Sequence, residues 1–345
     1  MPHIFHIHEE LAGATLSAAL RKLLEGKPWR GVKGFIAGRH VQVNGNLCLD
    51  EGRRLKSGDV VQFWEQPLAR PVDQGDVRIV YLDEHLVVVS KPAGMTTLRH
   101  PEERNWPARR KQLQPTLEEV LPKLLAQHLG LRASETKPPP SRPKDRRRGR
   151  PGKEASQMPL VRAVHRLDRD TSGLLVFART LAIEPKLVRL FSKHQIERAY
   201  AAVVQGRVAA QTRETWLVRD RGDGLRGSSP LGKEAPDAQR AITHIQPLEV
   251  FAVGGQTYSL IECRLETGRT HQIRIHLAEL GHMLCGEKIY THAMGEKPRP
   301  DTSAAPRQAL HAALLAFTHP ITGKLLRFTD KLPADLVYWL SVLRA

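Results

Sequence analysis

Apolar positions along the chain fall into short runs with two different periods. The stretch Thr15–Leu24, "TLSAALRKLL", repeats its apolar residues at helical spacing, whereas "VQVNGNLCL" alternates on both sides of Asn44-Gly45, a strong hairpin signal. "LKSGDVVQFWE" adds another short strand, and a linker, "QPLARPVDQG", follows. Beyond it, "VRIVYLDEHLVVVSKPAG" reads as two strands about a turn. "TLEEVLPKLLAQHLG" is a helix capped by Thr116 and ended at Gly130. "SGLLVFART" is predicted as a buried strand, "LAIEPKLVRLFSKHQ" as a helix with Pro185 in its first turn, and "IERAYAAVVQG" as an alternating strand. "RLETGRTHQIRIHLAELGH" is predicted as a strand end, a glycine turn and a helix capped by Thr270 and stopped at Gly281.

These elements divide the chain. A small unit is expected over residues 11–66, containing the basic segment "KPWRGVKGFIAGRH", and a larger one over 77–345. Strands and helices mix without a repeat or a run of βαβ units, so the expected class is α+β with one large mixed sheet. Residues 132–158 have no apolar period and are rich in proline and arginine, so a disordered basic insert is expected there.

Charge changes the picture. The formal net charge is +17 over 345 residues, which points to a polyanionic partner, nucleic acid ahead of a membrane surface. From Thr136 to Met158 there are eight Lys or Arg and two Asp or Glu, so the other parts of the chain carry most of the excess. Three scattered cysteines, Cys48, Cys263 and Cys285, suggest neither a disulfide framework nor a thiolate metal site. No secretory signal or membrane-length apolar run is evident, and a soluble cytoplasmic protein is expected.

The densest chemistry is in "HRLDRDTSGLLVFA", His165 to Ala178. Alone, an aspartate before Thr-Ser-Gly reads as a turn acceptor. Its companions are "KPAGM" (Lys91 to Met95), "RAYAAVVQG" (Arg198 to Gly206), "GRTHQIRIHLAELGHMLCGEKIY" (Gly268 to Tyr290) and "RQALHA" (Arg307 to Ala312). Together they resemble the RluA-type family of RNA pseudouridine synthases, and the first unit is similar to the S-four-type alpha-L RNA-binding domain that often precedes that catalytic domain.

The resemblance implies the pseudouridine synthase fold, with a large, mainly antiparallel mixed sheet, and an enzyme that detaches uracil from ribose, turns it and rejoins it through carbon 5. It implies that Asp168 acts on the sugar, attacking the anomeric carbon or taking a ribose proton, Arg274 pairs with it, Tyr200 stacks on the uracil with Ile273 beside it, and Arg166 fills the space left by the flipped base. His165 and Thr171 fall in the same motif and are expected at the substrate. Arg30, Lys33 and Arg39 of the first unit are expected to meet RNA phosphates. The implied partner is RNA, ribosomal from the large subunit or alternatively transfer RNA, bound by a monomer without metal or other cofactor. Two positions depart from the family pattern: Arg198, where lysine is common, and Glu287, where aspartate is common.

Other chemistries fit less well. A zinc hydrolase could be imagined from His271, His276, His282 and His292, but there is no HExxH, and at about 100° per residue His271 and His276 point roughly 140° apart on a helix. A glycosidase needs two facing acids, and the motifs give Asp168 no obvious partner. A non-catalytic RNA-binding protein would not need Asp168, Tyr200 and Arg274 together.

Overall fold

A computed structural model describes residues 3–24, 28–44, 46–64, 76–107, 111, 114–131 and 158–344. The whole proposed linker at 66–75 and residues 132–157 of the proposed insert lie outside the described residues. The chain forms two units, Met1–Pro71 with His100–Pro115, and Val72–Arg99 with Thr116–Ala345. Residues 100–115, which sequence reading places in the larger unit, group with the smaller one; Gln114, for example, donates its side-chain amide to the Leu47 carbonyl at 2.6 Å.

The smaller unit contains β1 (His3–His6), α1 (Leu16–Leu23), α2 (Trp29–Ala37), β2 (Val41–Val43), β3 (Asn46–Leu47) and β4 (Val60–Phe63). Its antiparallel sheet has the order β1-β4-β2-β3. Thr15 caps α1 by accepting from the Ala18 amide. The basic segment proves to be α2, which buries only Val32 and Ile36, one turn apart. Gly31 and Gly34 beside so narrow an apolar stripe hide its period.

The larger unit contains β5 (Arg78–Leu82), β6 (Leu86–Lys91), α3 (Leu117–His128), β7 (Arg162–Ala163), β8 (Ser172–Ala178), α4 (Glu184–Ser192) and β9 (Glu197–Gln205). There follow β10 (Gln211–Val218), β11 (Gly227–Ser228), β12 (Gln239–Val253), β13 (Gln256–Leu265), α5 (Gln272–Glu279), β14 (Leu310–Thr318), β15 (Leu325–Thr329) and α6 (Ala334–Arg344). Nine strands run β11-β10-β12-β13-β9-β14-β8-β6-β5, with β15 added to β14 and β7 to β8. Among the described pairings only β8 with β14 is parallel. The expected α+β class with a large, mainly antiparallel mixed sheet is therefore the observed one.

Every residue of β8 is buried, because both faces of the sheet are covered there. Leu175 and Phe177 face a core with Leu117, Leu121 and Leu125 of α3 and Ile273 and Leu277 of α5. Leu174 and Val176 face the opposite core, with Leu187 of α4. At the head of β8, Gly173 has φ +114°, and a Cβ there would collide with the Ala312 backbone. Glycine thus lets β8 press against β14 beside the loop that carries Asp168.

The expected cap of α5 is corrected. The helix begins at Gln272, after His271 in the left-handed region with φ 60°, and Thr270 does not cap it. Gln272 does the local work instead: its carbonyl oxygen accepts from the Arg269 amide at 3.0 Å and the Thr267 hydroxyl at 2.8 Å. Its amide nitrogen donates to the Ile242 carbonyl and to Thr243. This buried amide ties the first turn of α5 to β12.

Candidate active site

The loop between β7 and β8 presents Asp168, and its backbone is bonded at each carbonyl from 167 to 170. Thr97 donates its hydroxyl to Leu167 O and accepts from the Leu167 amide. Asp168 O accepts from the Thr171 amide, and Arg169 O from the Gly94 amide and Lys91 Nζ. Asp170 O accepts from Arg307 Nη1 at 3.1 Å. Lys91 is fully buried and gives its other two protons to Pro92 O at 2.9 Å and Met95 O at 2.8 Å. Burial pulls its pKa down to about 7, whereas only the ammonium form can supply all three carbonyls at once. "KPAGM" is thus the clamp that fixes the loop carrying Asp168.

On the other side stands α5. Arg274 donates from Nη1 to Asp168 Oδ2 at 3.1 Å, and from Nε and Nη2 to the two oxygens of Glu287 at 2.8 and 2.7 Å. Burial would push the Glu287 carboxyl up, but the bidentate guanidinium and the Lys288 and Ile289 amides hold it below its ordinary value. Burial also opposes the charge on Arg274, and its two acidic partners more than offset this, raising its pKa. Glu287 orients Arg274, and Arg274 orients Asp168.

Two further groups close the cluster. His271 Nε2 lies 3.7 Å from Asp168 Oδ1, and its Nδ1 lies 2.7 Å from the Tyr290 hydroxyl. Burial lowers the His271 pKa, with Asp168 pulling the other way, and burial raises Tyr290 to about 12. The Arg274 guanidinium carbon is 5.1 Å from the Tyr290 ring centroid.

Asp168, His271 and Arg274 border a cleft. Arg166, Asp168, Thr171, Tyr200, Ile273 and Arg274, six of the seven residues expected at the substrate, line it. Tyr200, Leu265, Ile273 and Leu310 provide apolar surface, and Arg166 is exposed. Thr171 is buried, and its hydroxyl accepts from the Gln308 side chain at 2.7 Å. Asp168 is the one acid among the lining residues.

His165 is the exception and a correction to the sequence reading. It does not line the cleft: its Nε2 accepts from the Val176 amide at 3.0 Å and its ring stacks on Phe191 at 4.4 Å. Removal from water, helped by nearby Arg198, pushes its pKa down to about 3, so the ring is a neutral acceptor at physiological pH. His276 is likewise structural, buried between Thr215 and Thr243 at 2.9 Å each and pushed down to about 4 by burial.

Arg30, Lys33 and Arg39 belong to the smaller unit. Arg30 is exposed on α2, Lys33 is half-exposed and pairs with Glu51 at 3.1 Å, and Arg39 follows the helix with φ 69°. Sequence reasoning missed His271 and Tyr290 as neighbours of Asp168. It noted Glu287 only as a departure from pattern, although the charge at that position was the available signal.

A family model described as RNA pseudouridylate synthase matches residues 85–279, more than half of the chain. The chain belongs to the RNA pseudouridylate synthase family. It is an isomerase that converts uridine to pseudouridine in RNA. It is 34% identical over 343 residues to ribosomal large subunit pseudouridine synthase D of Neisseria meningitidis serogroup B, covering 97% of this chain and 80% of the relative. The protein of the same name from Zymomonas mobilis is 33% identical, covering 95% and 93%. Among solved structures, Human RNA Pseudouridylate Synthase Domain Containing 4 shares the fold, with a TM-score of 0.54 at 22% identity, covering 77% of this chain and 93% of that one. Among the described residues no helix is long and apolar enough to cross a membrane.

Proposed function

We propose that this chain isomerises uridines of large-subunit ribosomal RNA, with Asp168 as the carboxylate that acts on the flipped nucleotide. The observation that carries the chemical part is that Asp168 is the one acid lining the cleft, held by Arg274 beside the apolar surface of Tyr200 and Ile273. Cleaving a glycosidic bond without a second acid calls for one carboxylate placed against the sugar, as nucleophile or as base. Glu287 does not serve as that second acid, because both its oxygens are engaged by Arg274.

In this reading Tyr200 supplies the face on which the uracil stacks, and Arg166 at the rim fills the gap left in the RNA. Thr171 steadies the cleft wall. Arg30, Lys33 and Arg39 meet phosphates through the smaller unit, read as an alpha-L-type RNA-binding domain, and position the RNA without reading its sequence. The enzyme works as a cytoplasmic monomer.

The choice of RNA is supported by the relatives, which are named for the large ribosomal subunit. Pseudouridine mapping of ribosomal and transfer RNA from cells with and without the gene tests it. Loss of specific sites in large-subunit RNA alone is expected. Loss confined to transfer RNA would overturn the proposed target while leaving the chemistry intact.

A further inference from the structure

The C-terminal helix α6 lies outside the cleft but carries two polar anchors, Asp335 and Trp339, four residues apart on one face. Asp335 accepts from Arg307 Nε at 2.7 Å and Nη2 at 3.3 Å. The same guanidinium donates to Asp170 O, in the Asp168 loop, and to the Ser172 hydroxyl at 3.1 Å each. One anchor therefore leads in two steps to the backbone that presents Asp168.

The second anchor leads to the opposite wall. Trp339 Nε1 donates to Ser303 O at 2.9 Å, and the Ser303 hydroxyl donates to Asp301 at 2.7 Å. Asp301 in turn accepts from the Gly286 amide at 2.9 Å, directly before Glu287, the residue that grips Arg274. The two paths also meet, since Gly286 has φ +77° and a Cβ there would collide with the Arg307 backbone. Both the Asp168 loop and the Glu287 loop are thus tied by hydrogen bonds to the same helix.

We infer that Asp335 and Trp339 of α6 are positioning residues that hold the Asp168 and Glu287 loops in the register the reaction needs. The alternative is that α6 only covers apolar surface, with Leu336 and Leu340 packed near Val203 and Tyr258. The two differ at Asp335: its side chain is 42% exposed and its contacts are polar, so removing it changes the anchor while sparing the packing. The Arg307 side chain is largely buried, but without Asp335 it keeps its bonds to Asp170 O, Gln308 O and the Ser172 hydroxyl, and water can reach the place of the half-exposed carboxylate. Misplacing a reacting group by a fraction of an ångström, in contrast, lowers turnover strongly.

The test uses the full chain with saturating ribosomal RNA fragment as substrate. Asp335→Ala is expected to lower kcat by about 10-fold with KM within about 2-fold of the parent and an unchanged unfolding midpoint, and Asp335→Glu to restore most of the loss. Trp339→Phe, which keeps the ring and loses the N–H donor, is expected to lower kcat in the same way. Parental kcat in either Asp335→Ala or Trp339→Phe, or a loss matched by loss of folded protein, would overturn the inference. The inference rests on Asp168 as the reacting carboxylate, and the two fail separately: turnover by Asp168→Asn defeats that reading, whereas an inactive Asp168→Asn beside a fully active Asp335→Ala defeats only this one.

Discussion

Arg274 sits between two carboxylates, 3.1 Å from Asp168 and 2.7 Å from Glu287, so the residue that orients the acid lining the cleft is itself held by a second, buried acid. The bidentate contact goes to Glu287, whose side chain is 1% exposed, and Asp168 receives the one remaining arm. This division of labour keeps the guanidinium fixed while leaving Asp168 Oδ1 unbonded by it.

Glu287→Gln should therefore act through Arg274. An amide keeps the shape but offers one acceptor in place of two and turns an N–H group toward the guanidinium. A fall in kcat of about 10²-fold is expected, because the partner that aims Asp168 loses its support. Glu287→Ala should in addition destabilise the fold by about 3–5 kcal/mol, as it leaves a buried guanidinium without its main counter-charge. Steady-state kinetics and denaturant unfolding of the two variants check both statements; parental kcat in Glu287→Gln would contradict them.

His165 and His276 make a prediction about pH. Their pKa values are pushed down from 6.5 to about 3 and about 4, so between those values and 6.5 the unfolded chain binds more protons than the folded one. Their contribution to stability is complete above about 6.5 and is lost as pH falls toward 4 and then 3. The unfolding midpoint should drop over that window, and imidazole nitrogen NMR should show both rings neutral at about pH 5. Titration of either ring near its ordinary value would contradict the buried, neutral assignment.

The smaller unit makes a prediction about salt. Each phosphate contact adds roughly 0.7 to the slope of log affinity against log salt for single-stranded RNA. Replacing Arg30, Lys33 and Arg39 together by glutamine should flatten the slope by about 1–2, since Lys33 is already shared with Glu51 at 3.1 Å. Filter binding of a large-subunit RNA fragment over a range of salt concentrations reads this directly. An unchanged slope would remove these residues from the RNA interface.

Much of the fold is legible in the sequence because its elements have clean periods. The β8 segment is continuously apolar since both faces are covered, and α3 announces itself through Thr116 and Glu119, which form a capping box. Helix α2 is obscured by its glycines, and the start of α5 by a glutamine that folds back on its own turn, a contact that residue spacing does not encode. In the site, Asp168 and Arg274 stand out through their motifs. His165 misleads because it shares a motif with Asp168, yet its imidazole stacks on Phe191 and accepts from the Val176 amide instead of lining the cleft. Glu287, His271 and Tyr290 depend on long-range contacts between α5 and the loop after it, and a linear reading shows their types but not their meeting.

The central claim is that Asp168 performs the chemistry while the cleft around it binds and shapes the nucleotide. The most direct measurement is single-turnover conversion of a bound large-subunit RNA fragment by Asp168→Asn, with affinity measured on the same sample. The amide preserves the side chain's size but lacks an anionic oxygen to attack the sugar or take its proton. The account predicts no detectable pseudouridine, with RNA affinity within about 3-fold of the parent, since phosphate contacts dominate binding. Pseudouridine formation at a measurable fraction of the parental rate would contradict it.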